Sequence, residues 1–158
     1  MILSLIAIAS AHKPSFGNDF TSAQSAYLVE DPNISIVVYQ ELTCDETELW
    51  LHFTAEEDFP LYVQLGVPVI DRLENYYPKA AVLAAGLPEP PSDLPFEVPE
   101  GMGAIVFDSE DQAQDFYEPF TQTESWIWVE EWVNVSGEGY IVGWHPEQWT
   151  GKIWLATG

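Results

Sequence analysis

Along most of the chain, apolar and polar residues alternate with a period of two in short runs broken by glycine and proline. In 48–55, Leu49, Leu51, Phe53 and Ala55 share one face, and Trp50, His52 and Thr54 share the other. Successive side chains of a strand point to opposite faces, so this alternation marks a half-buried strand. Comparable runs occupy 26–29, 34–42, 61–69, 79–87, 103–107, 125–135, 139–144 and 151–156. No long stretch shows the 3.6-residue repeat of an amphipathic helix. Eight or nine strands are too many for one open sheet with a wet face. The pattern therefore predicts an all-β fold, a two-sheet antiparallel β-sandwich of jelly-roll type with little helix. Its expected core is Leu49, Leu51, Phe53, Val63, Leu65, Ile127, Val129, Val133, Ile153 and Leu155.

The breaks between runs refine this picture. The glycines of Val135-Ser-Gly-Glu-Gly-Tyr140 read as a hairpin turn and 145–151 as the next connection, so the last three strands should form a meander. Five prolines in 87–99 remove ladder donors and force an extended loop over the surface. Residues 108–117 suit one or two helical turns capped by Ser109. With neither repeat nor linker, residues 12–158 read as one sandwich domain.

Composition narrows the function. The 158 residues carry 26 Asp and Glu against 4 Lys and Arg, a formal net charge of −22. Such a field repels phosphate backbones and excludes nucleic acid as a partner. Aromatic residues at 14% and hydrophobic residues at 47% also exclude a disordered acidic tail. One cysteine, Cys44, allows neither an internal disulfide nor a thiolate metal cage. A one-sign surface is tolerated best in salt, which fits a marine or halotolerant extracellular setting. Residues 1–11 are a short apolar run closed by Ala9-Ser-Ala11, which reads as a signal peptide. As a helix they would reach only about 16 Å, too short for a stable membrane span. The expected location is secreted, periplasmic or cell-surface.

Two resemblances agree with that location. Residues 125–156, with Ser125-Trp-Ile-Trp-Val-Glu-Glu-Trp-Val-Asn-Val-Ser-Gly-Glu-Gly-Tyr140 and the closing Thr150-Gly-Lys-Ile-Trp-Leu-Ala156, resemble the last strands of secreted jelly rolls of the pre-peptidase C-terminal type. The opening His12-Lys-Pro-Ser-Phe16 is similar to the mature start of an uncharacterised group of secreted or surface bacterial β-sandwich proteins. These resemblances imply a sandwich and carry no activity.

The candidate chemistry is aromatic first. Six of the seven tryptophans lie at or after Trp126. Trp126, Trp128 and Trp132 share one strand face with Glu130 and Asn134, while Trp154 lies beside Lys152 and Trp50 beside His52 and Thr54. Flat rings among hydrogen-bonding groups suit a sugar platform. The competing expectation is that the proline-rich loop and the N-terminal segment fold over these rings. The principal reading is a non-catalytic binding module for a neutral carbohydrate or an extracellular protein. A second is a copper protein: cleavage after Ala11 would make His12 terminal, and its amine and imidazole with His145, or with His52, would form a nitrogen site suited to Cu(II). Asp108, Glu110 and Asp111 (with Asp115) have spacings usable by calcium, and Asp45, Glu46 and Glu48 form a second acidic turn. A third reading is a carboxylate-dependent glycoside hydrolase. Glu130 and Glu131 cannot form its pair because neighbours on a strand point to opposite faces. Cys44 lies in an acidic turn, a poor setting for a thiolate nucleophile. Asn33-Ile-Ser35 and Asn134-Val-Ser136 match the glycosylation pattern, which matters only in a eukaryotic secretory route.

Overall fold

The computed structural model describes residues 13–109, 111–119 and 121–158. It is all-β, with nine strands: β1 (Lys13–Phe16), β2 (Tyr27–Val29), β3 (Ile36–Leu42), β4 (Glu48–Pro68), β5 (Lys79–Ala84), β6 (Gly103–Phe107), β7 (Gln114–Glu118), β8 (Thr123–Trp144) and β9 (Gly151–Thr157). The helical content of the described residues is a single 3-10 turn, Asp71–Leu73. The leader-like residues and His12 lie outside the described part, as does Glu110.

β4 and β8 are 21 and 22 residues long, several times the usual strand length. They pair antiparallel from Glu48↔Trp144 to Pro68↔Ser125. Between Ala55↔Gly137 and Phe59↔Val135, three residues, 56–58, face one, which makes a β-bulge. Asp58 and Gly137 adopt left-handed backbone there, with φ of 56° and 74°. The Asp58 N–H donates to the Ser136 hydroxyl at 2.9 Å. Bulges bend a strand and raise its twist, so strands can pass from one layer to another at such a corner.

Each half of the ribbon is the centre of one layer. The first half carries β2 on the β4 side, and β5 then β6 on the β8 side. The second half carries β9, β3 and β1 on the β4 side and β7 on the β8 side. The inward residues of both halves, among them Leu49, Leu51, Phe53, Val82 and Ile141 from one and Val38, Leu61, Val63, Leu65 and Leu155 from the other, form one hydrophobic cluster. Gly143 marks how closely the layers approach, since a Cβ there would meet Ile153 and Leu155 of the opposite layer at 3.0 and 3.3 Å.

All ten expected core residues are buried. The connectivity departs from expectation in several places. The sheets are not separate, because hydrogen bonding is continuous through β4 and β8, and the nine-stranded sheet is mixed: β1 pairs with β3 and β2 with β4 in parallel. The glycines at 137 and 139 do not make a hairpin turn; they sit inside β8, at and beside the corner. β9 pairs with β3 and β4, so no meander closes the chain. The described residues of 108–117 hold no helix: Ser109 donates its hydroxyl to the Pro78 carbonyl at 2.5 Å, and strand β7 begins at Gln114. Pro14 is accommodated because β1 is an edge strand.

A second irregularity changes which faces the tryptophans occupy. Leu65 pairs with Val129 but Gly66 with Ile127, so Trp128 is an extra residue and the alternation reverses beyond it. Ile127 turns outward to join Val37, Trp154 and Ala156. Trp128 turns inward into the core, and Trp126 packs against it. The Trp154 indole lies over Gly66, leaving no room for a Cβ there, and its N–H donates to the Ser125 hydroxyl at 3.1 Å.

Two substitutions test this packing by denaturant unfolding. Leu51→Ala should destabilise by about 2–4 kcal/mol through lost transfer energy and a cavity. Gly66→Ala should destabilise by about 1–3 kcal/mol through overpacking. An unchanged Gly66→Ala midpoint would mean that Trp154 is not seated on the glycine.

Candidate functional site

The outer faces of the two layers differ in how they are covered. On the first layer, Trp50, Ala81, Leu83, Tyr140, Val142 and Trp144 point outward and lie under Leu94, Phe96 and Val98 of the proline-rich loop. On the second, Trp154 and Ile127 are flanked by Tyr39 and Phe116, and a cleft of about 670 Å³ opens at the end of β1, β3 and β9.

Strand alternation places Phe16 and Tyr39 side by side in register on β1 and β3. Their rings stack at 5.1 Å and 17°, and Phe16 remains 69% exposed. Gln40 holds the chain beyond β1 in place: its side-chain oxygen accepts from the Phe20 N–H at 3.2 Å, and its amide donates to the Glu48 carbonyl at 2.8 Å. Thr121, Thr123, Ser125 and Lys152 also line the cleft, with Asn18 and Glu41, and Pro68 and Ile70 give an apolar edge. The Tyr39 hydroxyl hydrogen-bonds with Thr123 and Thr121, and burial raises its pKa. The two threonine hydroxyls are 2.7 Å apart. Glu41 and Lys152 face each other across β3 and β9, and Arg72 approaches Glu41 at 3.7 Å. Because both ions of that pair are half exposed, it adds little stability. The cleft thus presents an aromatic shelf, several hydroxyls and one ammonium group.

The tryptophans do not form a common platform. Trp50 and Trp154 are each 2% exposed, Trp128 is buried and Trp126 half-buried. Trp132 alone of the five expected ligand-binding rings is open, at 65%. It leans on Tyr62 at 4.8 Å, whose hydroxyl donates to Glu130 at 2.7 Å. Burial and the neighbouring carboxylate push the Tyr62 phenol well above its ordinary range. Glu131 shares the inward side of the strand with Val129 and Val133 yet is exposed.

The histidines and acidic runs are similarly dispersed. His52 lies opposite Tyr140 and contacts Glu138 through Nε2 at 2.9 Å. His145 follows the far end of β8, five residues on, or roughly 16 Å at strand rise. It is 4% exposed, between Tyr76 at 4.4 Å and Trp149 at 4.8 Å, and its Nδ1 accepts from the Glu147 N–H at 3.2 Å. Asp108 pairs with Lys79 at 2.6 Å and shares a shallow cleft with Asp111. Cys44 is exposed. Among the described residues, no three His, Cys, Asp or Glu side chains gather where they could hold a metal ion.

The chain matches no known family model and no curated protein.

Sequence reasoning missed Phe16, Tyr39 and the threonines. The usable signal was the outward face of residues 34–42, Val37, Tyr39 and Glu41, but its neighbour across the sheet is a four-residue edge strand containing proline.

Burial lowers the His145 pKa, and this outweighs the opposite effect of Glu147. The unfolded chain therefore takes up a proton near pH 6.5 before the folded one does, so stability is full above that value and falls as pH drops toward the lowered folded value. Thermal unfolding should show His145→Gln losing less stability than the parent between pH 7 and pH 5. Parallel curves would mean that His145 does not titrate in that window.

Proposed function

We propose that the protein is a secreted or cell-surface, non-catalytic binding module that holds a neutral carbohydrate in the cleft between β1, β3 and β9. The carrying observation is the exposed Phe16 ring stacked on Tyr39, in a cleft lined also by Thr121, Thr123, Ser125 and Lys152. A sugar ring needs a flat apolar surface for its C–H face and donors and acceptors for its hydroxyls, and this arrangement supplies both. A neutral ligand is favoured because it does not meet the repulsion that a −22 chain exerts on anions. Secretion belongs to the same proposal and rests on the leader-like start and the acidic composition.

An extracellular protein is the second reading, supported by Val69 and Tyr117. These exposed apolar residues line an adjoining cleft that shares Ser125 with the first. Exposed apolar residues grouped beside a cleft suit a protein contact better than a lone sugar site.

The test is binding to an array of neutral oligosaccharides, followed by calorimetry on the best ligand. Truncating a central aromatic anchor removes about 2 kcal/mol or more, so Phe16→Ala should weaken binding at least about tenfold. Trp132→Ala, on a separate part of the sheet, should leave the affinity unchanged. Failure of every neutral glycan, or full binding by Phe16→Ala, would remove the carbohydrate reading from this cleft.

A further inference from the structure

The polar groups of the Phe16–Tyr39 cleft fall into two sets. The hydroxyls are engaged with the protein: Thr121 and Thr123 lie 2.7 Å apart, the Tyr39 hydroxyl bonds to both, and Ser125, itself buried, accepts from the Trp154 indole at 3.1 Å. Asn18, Glu41 and Lys152 are exposed. Register puts this second set in a row. Phe16 pairs with Tyr39 and Glu41 with Lys152, while Asn18 stands two residues beyond Phe16 as Glu41 stands two beyond Tyr39. Two residues along a strand advance about 7 Å on the same face, a distance that a ring hydroxyl and one hydrogen bond can bridge. A polar row therefore borders the aromatic shelf. Within it, Glu41 and Lys152 do not close on each other as an ion pair. Glu41 is met by Arg72 at 3.7 Å, and among the described residues the Lys152 ammonium has no hydrogen-bond or ion-pair partner. The other large cleft, about 720 Å³ on the first layer between the proline-rich loop and residues 21–24, has Trp50, Glu97 and Glu100 in its lining and no Lys or Arg.

We propose that Glu41 and Lys152 read two neighbouring hydroxyls of the sugar whose ring stacks on Phe16, so that the ligand is a neutral sugar with a free vicinal diol on one edge of that ring. The inference rests on the carbohydrate reading of this cleft. An ionised carboxylate only accepts hydrogen bonds and an ammonium only donates them. One hydroxyl therefore donates to Glu41 while its neighbour accepts from Lys152, and the diol fills the gap that the two side chains leave between them. Both bonds are charge-assisted and so stronger than bonds between neutral groups. The two oxygens must lie gauche: a trans-diaxial pair points to opposite faces of the ring and cannot reach both side chains while one face lies on Phe16. Glu41 also opposes a carboxylate-bearing sugar, which would otherwise suit Lys152 and Arg72.

The probes are cellobiose, maltose, lactose and α-1,2-mannobiose, titrated into the full chain by calorimetry, followed by the single-deoxy derivatives and the uronic acid counterpart of the tightest binder. Two deoxy changes, on adjacent carbons of one ring, should each weaken binding about tenfold, and the other positions should have little effect. Lys152→Met and Glu41→Gln should each weaken the parent sugar about tenfold. Each variant should also be indifferent to one of the two deoxy changes, because the side chain that served that hydroxyl is already gone; a merely structural role would not produce this match. Both side chains are exposed, so the variants keep the fold. Parent-level binding by either variant, deoxy effects on non-adjacent carbons, or tighter binding of the uronic acid overturns the proposal and leaves the carbohydrate reading standing. Binding of none of the four disaccharides also overturns it, and the carbohydrate reading falls with it only if the wider array of neutral oligosaccharides fails as well.

Discussion

The corner in the β4–β8 ribbon is the constraint on which the rest depends. A strand pair more than twenty residues long cannot bury an apolar face against itself while it stays straight. Folding at 56–58 and at Ser136-Gly137 lets one pair of strands serve as the middle of both layers. The bend requires left-handed backbone at Asp58 and Gly137, tolerable for aspartate and natural for glycine. The Asp58 N–H, which a regular ladder would have satisfied, is taken up by the Ser136 hydroxyl. With the corner in place, the second edge of each strand is open at both halves, and the other seven strands add there. The polar run Glu56-Glu57-Asp58 suits this role, because charged residues at a bend stay in water while the flanking Phe53 and Leu61 remain in the core.

Folding a sheet once buries only one face of each layer, and this chain is too rich in aromatics to leave both outer faces bare. The first layer is closed by the proline-rich loop. Prolines without N–H groups allow an extended segment to lie over apolar side chains without orphaned donors, and Leu94, Phe96 and Val98 supply the contacts. The second layer is closed less completely. Trp154 over Gly66 shields its centre, whereas its end has only Phe16 stacked on Tyr39 and the apolar edge of Pro68 and Ile70. Both large clefts therefore lie on outer faces, where the cover ends.

The period-two pattern was sufficient for the fold class and for the core, because burial of one strand face is what writes that pattern into a sequence. Leu49, Leu51 and Phe53 against Trp50 and His52 read directly. Strand partners did not. Gly137 and Gly139 look the same whether glycine serves a reversal or a bulge, and only the three residues inserted across the ladder, 56–58, separate the two cases. The face of Ile127 was misassigned for the same reason: one bulged residue at Trp128 reverses every side chain beyond it. β1 was invisible because four residues including a proline have no periodicity, yet it contributes the exposed ring of the Phe16–Tyr39 cleft. The alternative of covered tryptophans, by contrast, follows from the five prolines of 87–99 and the apolar residues spaced between them.

The placement of the few cations gives a further view of the two clefts. Of the four Lys and Arg residues, Lys152 lines the Phe16–Tyr39 cleft and Arg72 approaches its Glu41. Locally the negative field is offset there. At the Trp50 cleft no cation intervenes, so the field of Glu97, Glu100 and the surrounding −22 chain acts undiminished. Low-dielectric walls concentrate such a field in a recess. The same acidic composition thus acts differently at the two openings: it is locally offset by Lys152 and Arg72 at one and left intact at the other.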